Sequence, residues 1–578
     1  MNKKNYYQNI IIFSIALLVT GILLQKRVSS MADLIPVSDE LWVISATTGV
    51  AETGHPQLKP SNEQIAYNSE YPTDGYAEVK QYIVEYYLRA FVYKTADALE
   101  VEWKYLSNLF YFFLFASIPL FLYVFFKRTL FPLTIFAFLL ILIGTSVWAS
   151  SAFHYIRYYS FSLVFVLTCH TLAAYCYLKW EQPLWKKIPV ILFITWIPGG
   201  LIHAANYVLP AFWTLFSVLV ILQHLFFSKK VSKKNKIRSL AVLASLFTIG
   251  LLLTIGSIYR VLPISNGKNP IHLFLWRLNK VEFSSQAIEA FVALNFNTSI
   301  GGILAIILIV GFAVWQLPIL RKTGVFFWKI TLASTVFSFV LLYFLVGNNY
   351  VGYFGYNRYF FVVHVQYLLF LALCLTVLYR FLVQNIKVSF MGKRVVLFSL
   401  IALPFVTSIL PLSSLPADTY NFSIVPILKT NYKKQVQKLG DQEKTLVFTN
   451  HALFSLSLLD NNPIFILRQP PDTLASISPN NTLFMGDKRK YGGKNIYQKQ
   501  ADGTVIGSMG LPMIGTKKEF CRILTKYSGW NVLLLMHEYH YTAKMESALE
   551  KEMKKRDYLT KTLMKPADMF YYEICEGK

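Results

Sequence analysis

Charge is what this sequence has little of. Only 15% of its 578 residues are Asp, Glu, Lys or Arg, where a water-soluble globule carries about 25%. Together with 54% hydrophobic residues and a mean hydropathy of +0.43, that scarcity excludes a soluble globular chain and implies one that lives in a bilayer. Acidic residues are scarcer still, 31 against 56 basic ones, for a formal net charge of +25. The basic residues cap apolar runs instead of forming one stripe, which argues against nucleic acid as the partner. Five cysteines in such a length exclude a disulfide scaffold. Cys169, Cys176 and Cys374 lie in apolar runs and read as packing residues, which leaves Cys521 and Cys575 as the pair able to meet in an oxidising compartment. The carboxyl-terminal part has no Gly-rich phosphate loop after a strand, hence no nucleotide site. No internal or inverted repeat is visible of the kind that marks a transporter.

What is present is a series of long apolar runs. A spanning helix needs about 20 mostly apolar residues, and about eleven stretches qualify on that rule. The first runs from about Asn9 to Leu24. Gln25, Lys26 and Arg27 follow it where a signal peptide would carry small residues, so it reads as an uncleaved anchor. The others lie near residues 106–126, 129–149, 157–178, 188–203, 206–227, 239–260, 299–320, 326–346, 359–381 and 395–411. Alternate loops are basic: Lys127 and Arg128; Lys179, Lys186 and Lys187; the run Lys229–Arg238; Arg321 and Lys322; Arg380, Lys387, Lys393 and Arg394. All fall on one side if the amino terminus is cytoplasmic, and the positive-inside rule makes that side cytoplasmic.

Three longer pieces then fall on the outer face: residues 26–105, residues 261–298 and everything after Leu412. In the first, about Tyr76 to Ala98 has the helical spacing of aromatic and aliphatic residues expected of a helix lying in the interface. The last is polar and alternates β-type runs (Leu446–Thr449, Ile464–Leu467, Thr482–Met485, Val532–Met536, Met569–Ile574) with helical stretches such as Thr542–Lys555. These runs predict a polytopic α-helical membrane domain over residues 1–411 and an extracytoplasmic α/β domain over residues 412–578.

Chemistry is to be sought on the outer face. Asp39 and Glu40 lie just beyond the first span, where a carboxylate can take a proton from an attacking hydroxyl or amine; the same pair also reads as ordinary solvated acids. Arg157 and Tyr159 open the fourth span, and Arg358 and Tyr359 the tenth. A guanidinium at that boundary either snorkels as an anchor or holds two oxygens of a lipid phosphate. Arg260, Arg277 and Lys280 add positive charge to the same face. His203, near the outer end of the fifth span, is a packing residue or an active-site candidate. The run His537-Glu538-Tyr539-His540 is one residue short of zinc-protease spacing and follows a strand where that chemistry needs a helix.

The order of these features resembles the GT-C superfamily of polyprenyl-phosphate-sugar-dependent glycosyltransferases. The branch it looks like is the bacterial relatives of the dolichyl-phosphate-mannose protein mannosyltransferases, which include the lipid A aminoarabinose transferases. The resemblance rests on Asp39-Glu40 after the first helix, the stretch from Val84-Glu85-Tyr86-Tyr87-Leu88 to Trp103-Lys104-Tyr105-Leu106, Tyr155-Ile156-Arg157-Tyr158-Tyr159, Ile202-His203 and Arg358-Tyr359-Phe360. It covers about residues 10–410. Tyr155 stands where many members have an acid or amide, and Lys104 where an Arg is common.

The resemblance implies transfer of a sugar, with inversion, from a polyprenyl monophosphate to a glycan, lipid or protein acceptor on the outer face of the plasma membrane. It assigns Asp39 as base with Glu40 assisting. Arg157, Tyr159, Arg358, Tyr359, Arg260, Arg277 and Lys280 would hold the donor phosphate, with neither metal nor cofactor. Membrane lipids are the remaining partners. An O-antigen polymerase or ligase-like enzyme, and a transporter or scaffold, are the alternative readings of so many helices with outer arginines.

Overall fold

The computed structural model describes residues 3–31, 38–58, 77–78, 83–101, 133–146, 159–202, 204–227, 300–320, 322–346, 361–386, 391–407, 438–440, 444–449, 462–467, 482–484, 496–499, 504–506, 511–537 and 560–576, with isolated positions within 106–117 and 237–245 and at 501. From the amino terminus, α1 (Lys3–Met31) is followed by α2 (Ser38–Thr53), the short strands β1 (Gln57–Leu58) and β2 (Ala77–Glu78), and α3 (Ile83–Ala98). The helices that follow are α4 (Leu133–Thr145), α5 (Tyr159–Lys179), α6 (Leu184–Ile197), α7 (Val208–Phe227), α8 (Ile300–Trp315), α9 (Lys322–Val346), α10 (Phe361–Asn385) and α11 (Met391–Thr407). The chain divides into two compact units, Met1–Ser30 with Tyr105–Phe422, and Met31–Lys104 with Ser423–Lys578. Residues 31–104 therefore group with the carboxyl-terminal part.

The first unit is helical. Among the described residues, four of its helical segments are long and apolar enough to cross a bilayer: Tyr7–Gln25 in α1, Tyr159–Lys179, Lys322–Leu342 in α9 and Val362–Asn385 in α10. The chain is a polytopic membrane protein. The α10 segment is 89% buried against 33% for α1, so α10 is a central post and α1 a peripheral one. α4 is buried from Leu133 through Gly144 and apolar on every side, as a helix in the middle of a bundle must be; it packs on α10 and α11. Two spans are shorter than their apolar runs. α8 stops at Trp315 because Pro318 turns the chain into a 3-10 segment, Leu317–Ile319. α6 stops at Ile197, where Pro198 and Gly199 open a wide turn over Pro198–Ile202. Gly199 is required there, since a Cβ would lie 2.5 Å from the Tyr207 ring. The runs near 106–126 and 239–260 lie largely outside the described residues.

In the second unit α2 and α3 pack together. β1 and β2 pair antiparallel between them, Gln57 opposite Glu78. Tyr87 Oη donates to the Gly54 carbonyl at 3.0 Å, fixing the end of α2 against α3. The carboxyl-terminal part forms one mixed sheet in the order β10-β9-β3-β4-β8-β7-β6-β5. Its parallel centre is β9 (Asn531–His537), β3 (Thr445–Thr449), β4 (Ile464–Leu467) and β8 (Pro512–Ile514). β10 (Thr560–Pro566) and the trio β5 (Thr482–Phe484), β6 (Ile496–Lys499) and β7 (Val505–Ile506) add antiparallel edges. All five residues of β3 are buried, the pattern of a parallel strand covered on both faces.

α12 (Lys517–Lys526) lays Phe520 and Leu524 on that core and starts with a capping box between Thr516 and Glu519. The expected strand over Met569–Ile574 is helical instead: α13 (Ala567–Phe570) runs into a wide turn, Tyr571–Glu576. Pro566 ends the strand, and Ala567, Phe570 and Ile574, at helical spacing, all face the core. That turn brings Cys575 to Cys521, and the two form a disulfide with Cα atoms 5.8 Å apart. Cys169, Cys176 and Cys374 are free. The stretch 542–555 lies outside the described residues.

Candidate active site

Asp39 and Glu40 stand in the first turn of α2. In the sequence they are two acids just beyond the first span; in the structure they open a 16-residue helix. Val43, Ala46 and Val50 are buried on α2, and Thr47 turns its hydroxyl inward onto the Val43 carbonyl at 2.6 Å. The turn carrying the acids is therefore part of a packed element.

α3 supplies the feature least expected of an interfacial helix. Its outer face carries Tyr87, Phe91 and Lys94, of which Phe91 is 66% exposed. Its inner face carries an ion pair, Arg89 Nε to Glu85 Oε1 at 2.8 Å, with the side chains 0% and 1% exposed. Glu followed by Arg four residues on is the spacing that aligns the two on one helix face. Burial raises the cost of removing either partner, since a desolvated charge that loses its counter-ion costs several kcal/mol.

Tyr159 opens α5 in the helical unit and is 1% exposed. A run of buried polar side chains follows it: Ser160, Ser162 and His170 on α5, Thr331 and Ser334 on α9, and His364 and Gln366 on α10. His170 Nε2 lies 3.3 Å from Thr331 Oγ1, and Ser146 Oγ 2.9 Å from His364 Nε2. Asn206 donates to Ser162 Oγ and to the Pro198 carbonyl, both at 3.0 Å, and so ties the α6–α7 turn to the start of α5.

Solved structures similar to this chain include two of one protein. They are ArnT from Cupriavidus metallidurans bound to undecaprenyl phosphate, with a TM-score of 0.48 and 11% identity over 96% of this chain and 97% of that one, and the same protein in the apo state, with a TM-score of 0.46 and 11% identity over 97% and 98%. No protein-family model and no curated protein matches the chain.

Of the residues singled out from sequence, Asp39 and Glu40 belong to the second unit and Tyr159 to the first. Arg157, His203, Arg260, Arg277, Lys280, Arg358 and Tyr359 lie outside the described residues. Among the described residues no three His, Cys, Asp or Glu are grouped to hold a metal ion. His537 ends strand β9, while Glu538 to His540 lie outside the described residues. The Glu85–Arg89 pair was not singled out from sequence. Its i, i+4 spacing was visible there, whereas its burial depends on what packs against α3.

Proposed function

We propose that this protein transfers a sugar from a polyprenyl monophosphate donor to an acceptor on the outer face of the membrane. The observation that carries the reading is the position of Asp39-Glu40, in the first turn of a packed helix directly beyond the first spanning helix. In this mechanism Asp39 accepts the proton of an acceptor hydroxyl or amine as that atom attacks the anomeric carbon. The carbon–oxygen bond to the phosphate breaks, the polyprenyl phosphate departs with the electron pair, and the anomeric configuration inverts. Glu40 keeps Asp39 oriented. Arg157, Tyr159, Arg358 and Tyr359, with Arg260, Arg277 and Lys280, meet the charge that develops on the departing phosphate. Fixed cations fill that role without a metal.

The Cys521–Cys575 disulfide supports placing the carboxyl-terminal part outside, where thiols oxidise. With the amino terminus inside, the carboxyl-terminal part outside and about eleven crossings, the positive-inside rule is satisfied loop by loop. The test is transfer by the purified protein in vesicles from an isotopically labelled polyprenyl-phosphate sugar, with the product's anomeric configuration read by NMR. Inverted product supports the reading. Retained configuration, or no turnover of any such donor with any acceptor fraction, overturns it.

A further inference from the structure

The polar run inside the helical unit makes some hydrogen bonds and leaves others open on the same side chains. His170 uses Nε2 on Thr331, Asn206 uses Nδ2 on Ser162, and Gln366 uses Oε1, which accepts from Ser334 Oγ at 3.1 Å. His170 Nδ1, Asn206 Oδ1 and Gln366 Nε2 have no partner among the described residues, nor do Trp213 Nε1 and Ser338 Oγ. All five side chains are at most 1% exposed. Interhelical polar pairs are a common adhesive in membrane bundles, and that accounts for the bonds that are made. It does not account for open donors and acceptors on the same groups, which natural interiors satisfy with protein or with ordered water.

The open groups are also arranged in depth. His170 is eight residues beyond Ser162 on α5, about 12 Å along the axis at 1.5 Å per residue. The His170–Thr331 contact places α9 at the same level, and Ser338 lies seven residues further along α9, about 10 Å on. Ser338, Gln366 and Asn206 thus lie toward the end of the bundle where α5 and α10 begin, and His170 with Trp213, whose rings are 5.8 Å apart, lies deepest. The set mixes donors (Gln366 Nε2, Trp213 Nε1), an acceptor (Asn206 Oδ1) and groups that can be either (Ser338 Oγ, His170 Nδ1), and neither carboxylate, Lys nor Arg is among them. The set suits a neutral ligand small enough to use one or two bonds at each station.

We propose that a file of water molecules enters the seam between α5, α7, α9 and α10 and reaches His170 near the middle of the membrane. Water bridges the open groups in turn, each molecule meeting the two to four polar partners a buried water needs. Which face the file opens to rests on the topology proposed above; the file itself does not.

The test is cysteine accessibility in a protein whose free Cys169, Cys176 and Cys374 are replaced and whose disulfide is kept. Ser334→Cys and Ser338→Cys, nearly isosteric changes, are compared with Leu139→Cys on the apolar α4, which is equally buried. A thiol in dry apolar surroundings stays protonated and inert. A small water-soluble methanethiosulfonate should therefore modify the two seam cysteines at least about tenfold faster than Cys at 139. A second measurement needs no substitution: in D2O the indole N–H of Trp213, followed by 15N-indole NMR, should exchange within minutes. Equal, slow modification at all three sites, or an indole proton that persists for days, overturns the proposal. Sugar transfer is not read in either experiment, so its absence cannot be confused with failure of the water file.

Discussion

Arg89→Met is the substitution whose consequence the structure defines most sharply. Methionine keeps most of the length of the side chain and its apolar stem but removes the guanidinium, so Glu85, 1% exposed, is left without the cation held at 2.8 Å. Losing one partner of a buried pair costs about 3–5 kcal/mol, because the survivor's charge remains desolvated. At about 1.4 kcal/mol per factor of ten, that lowers the folding equilibrium of the α2–α3 hairpin by roughly two to three and a half orders of magnitude. The double variant Glu85→Leu with Arg89→Met removes both charges and retains volume, and it should recover most of the loss. The assay is thermal unfolding in detergent together with limited proteolysis across residues 54–83, where the short β1–β2 ladder joins the two helices. Arg89→Met should melt well below the parent and be cut faster, with the double variant close to the parent. If Arg89→Met matches the parent, or the double variant is the less stable of the two, the pair is not the buried, stabilising contact described here.

Other outcomes follow from close approaches and cross-links. Gly199→Ala drives a methyl to 2.5 Å from the Tyr207 ring, and overpacking of that kind costs about 1–3 kcal/mol, readable as a lower melting temperature. Gly144→Ala meets Thr20 Cγ2 at 2.9 Å and the Thr20 backbone at 3.4 Å, and it should loosen the crossing of α1 and α4 by a similar ~1–3 kcal/mol; a neutral result at either glycine removes that contact. Cys521→Ser opens a loop of 54 residues, for which the chain-entropy relation gives about 4 kcal/mol. The parent should show no alkylation at Cys521 or Cys575 until reduced, and the variant should be degraded faster in cells.

Much of the fold is written in periodicity. α1, α5, α9 and α10 are continuous apolar runs whose hydropathy alone marks them, and β3, β4 and β9 are short apolar runs between turn residues. The helix ends were less legible, because Pro318 and the Pro198-Gly199 turn stop helices inside runs that remain apolar. Met569–Ile574 misled because a cluster of apolar residues does not reveal its period until one knows that Phe570 and Ile574 share a core. β10, with Lys561 and Lys565 among its residues, has too polar a composition to announce itself and is defined by its ladder with β9. Elimination left Cys521 and Cys575 as the candidate pair but did not say that they bond; the turn over Tyr571–Glu576 that brings them together decides it. Asp39 and Glu40 were readable as a pair of acids beyond a span, but not as the opening turn of a helix, since the packing of Val43, Ala46 and Val50 decides that. The seam at His170 was invisible because its polar residues are scattered through apolar spans and acquire meaning only when four helices, α5, α7, α9 and α10, bring them together.

The central claim is that a carboxylate at the start of α2 removes the acceptor's proton. Asp39→Asn keeps size and hydrogen-bonding shape but removes basicity, and loss of a positioned general base costs about 10²–10⁴ in rate. Transfer from a labelled polyprenyl-phosphate sugar, measured in vesicles with the parent and Asp39→Asn at equal protein, should fall by that factor while donor binding persists. An Asp39→Asn protein that transfers at the parent's rate contradicts the account.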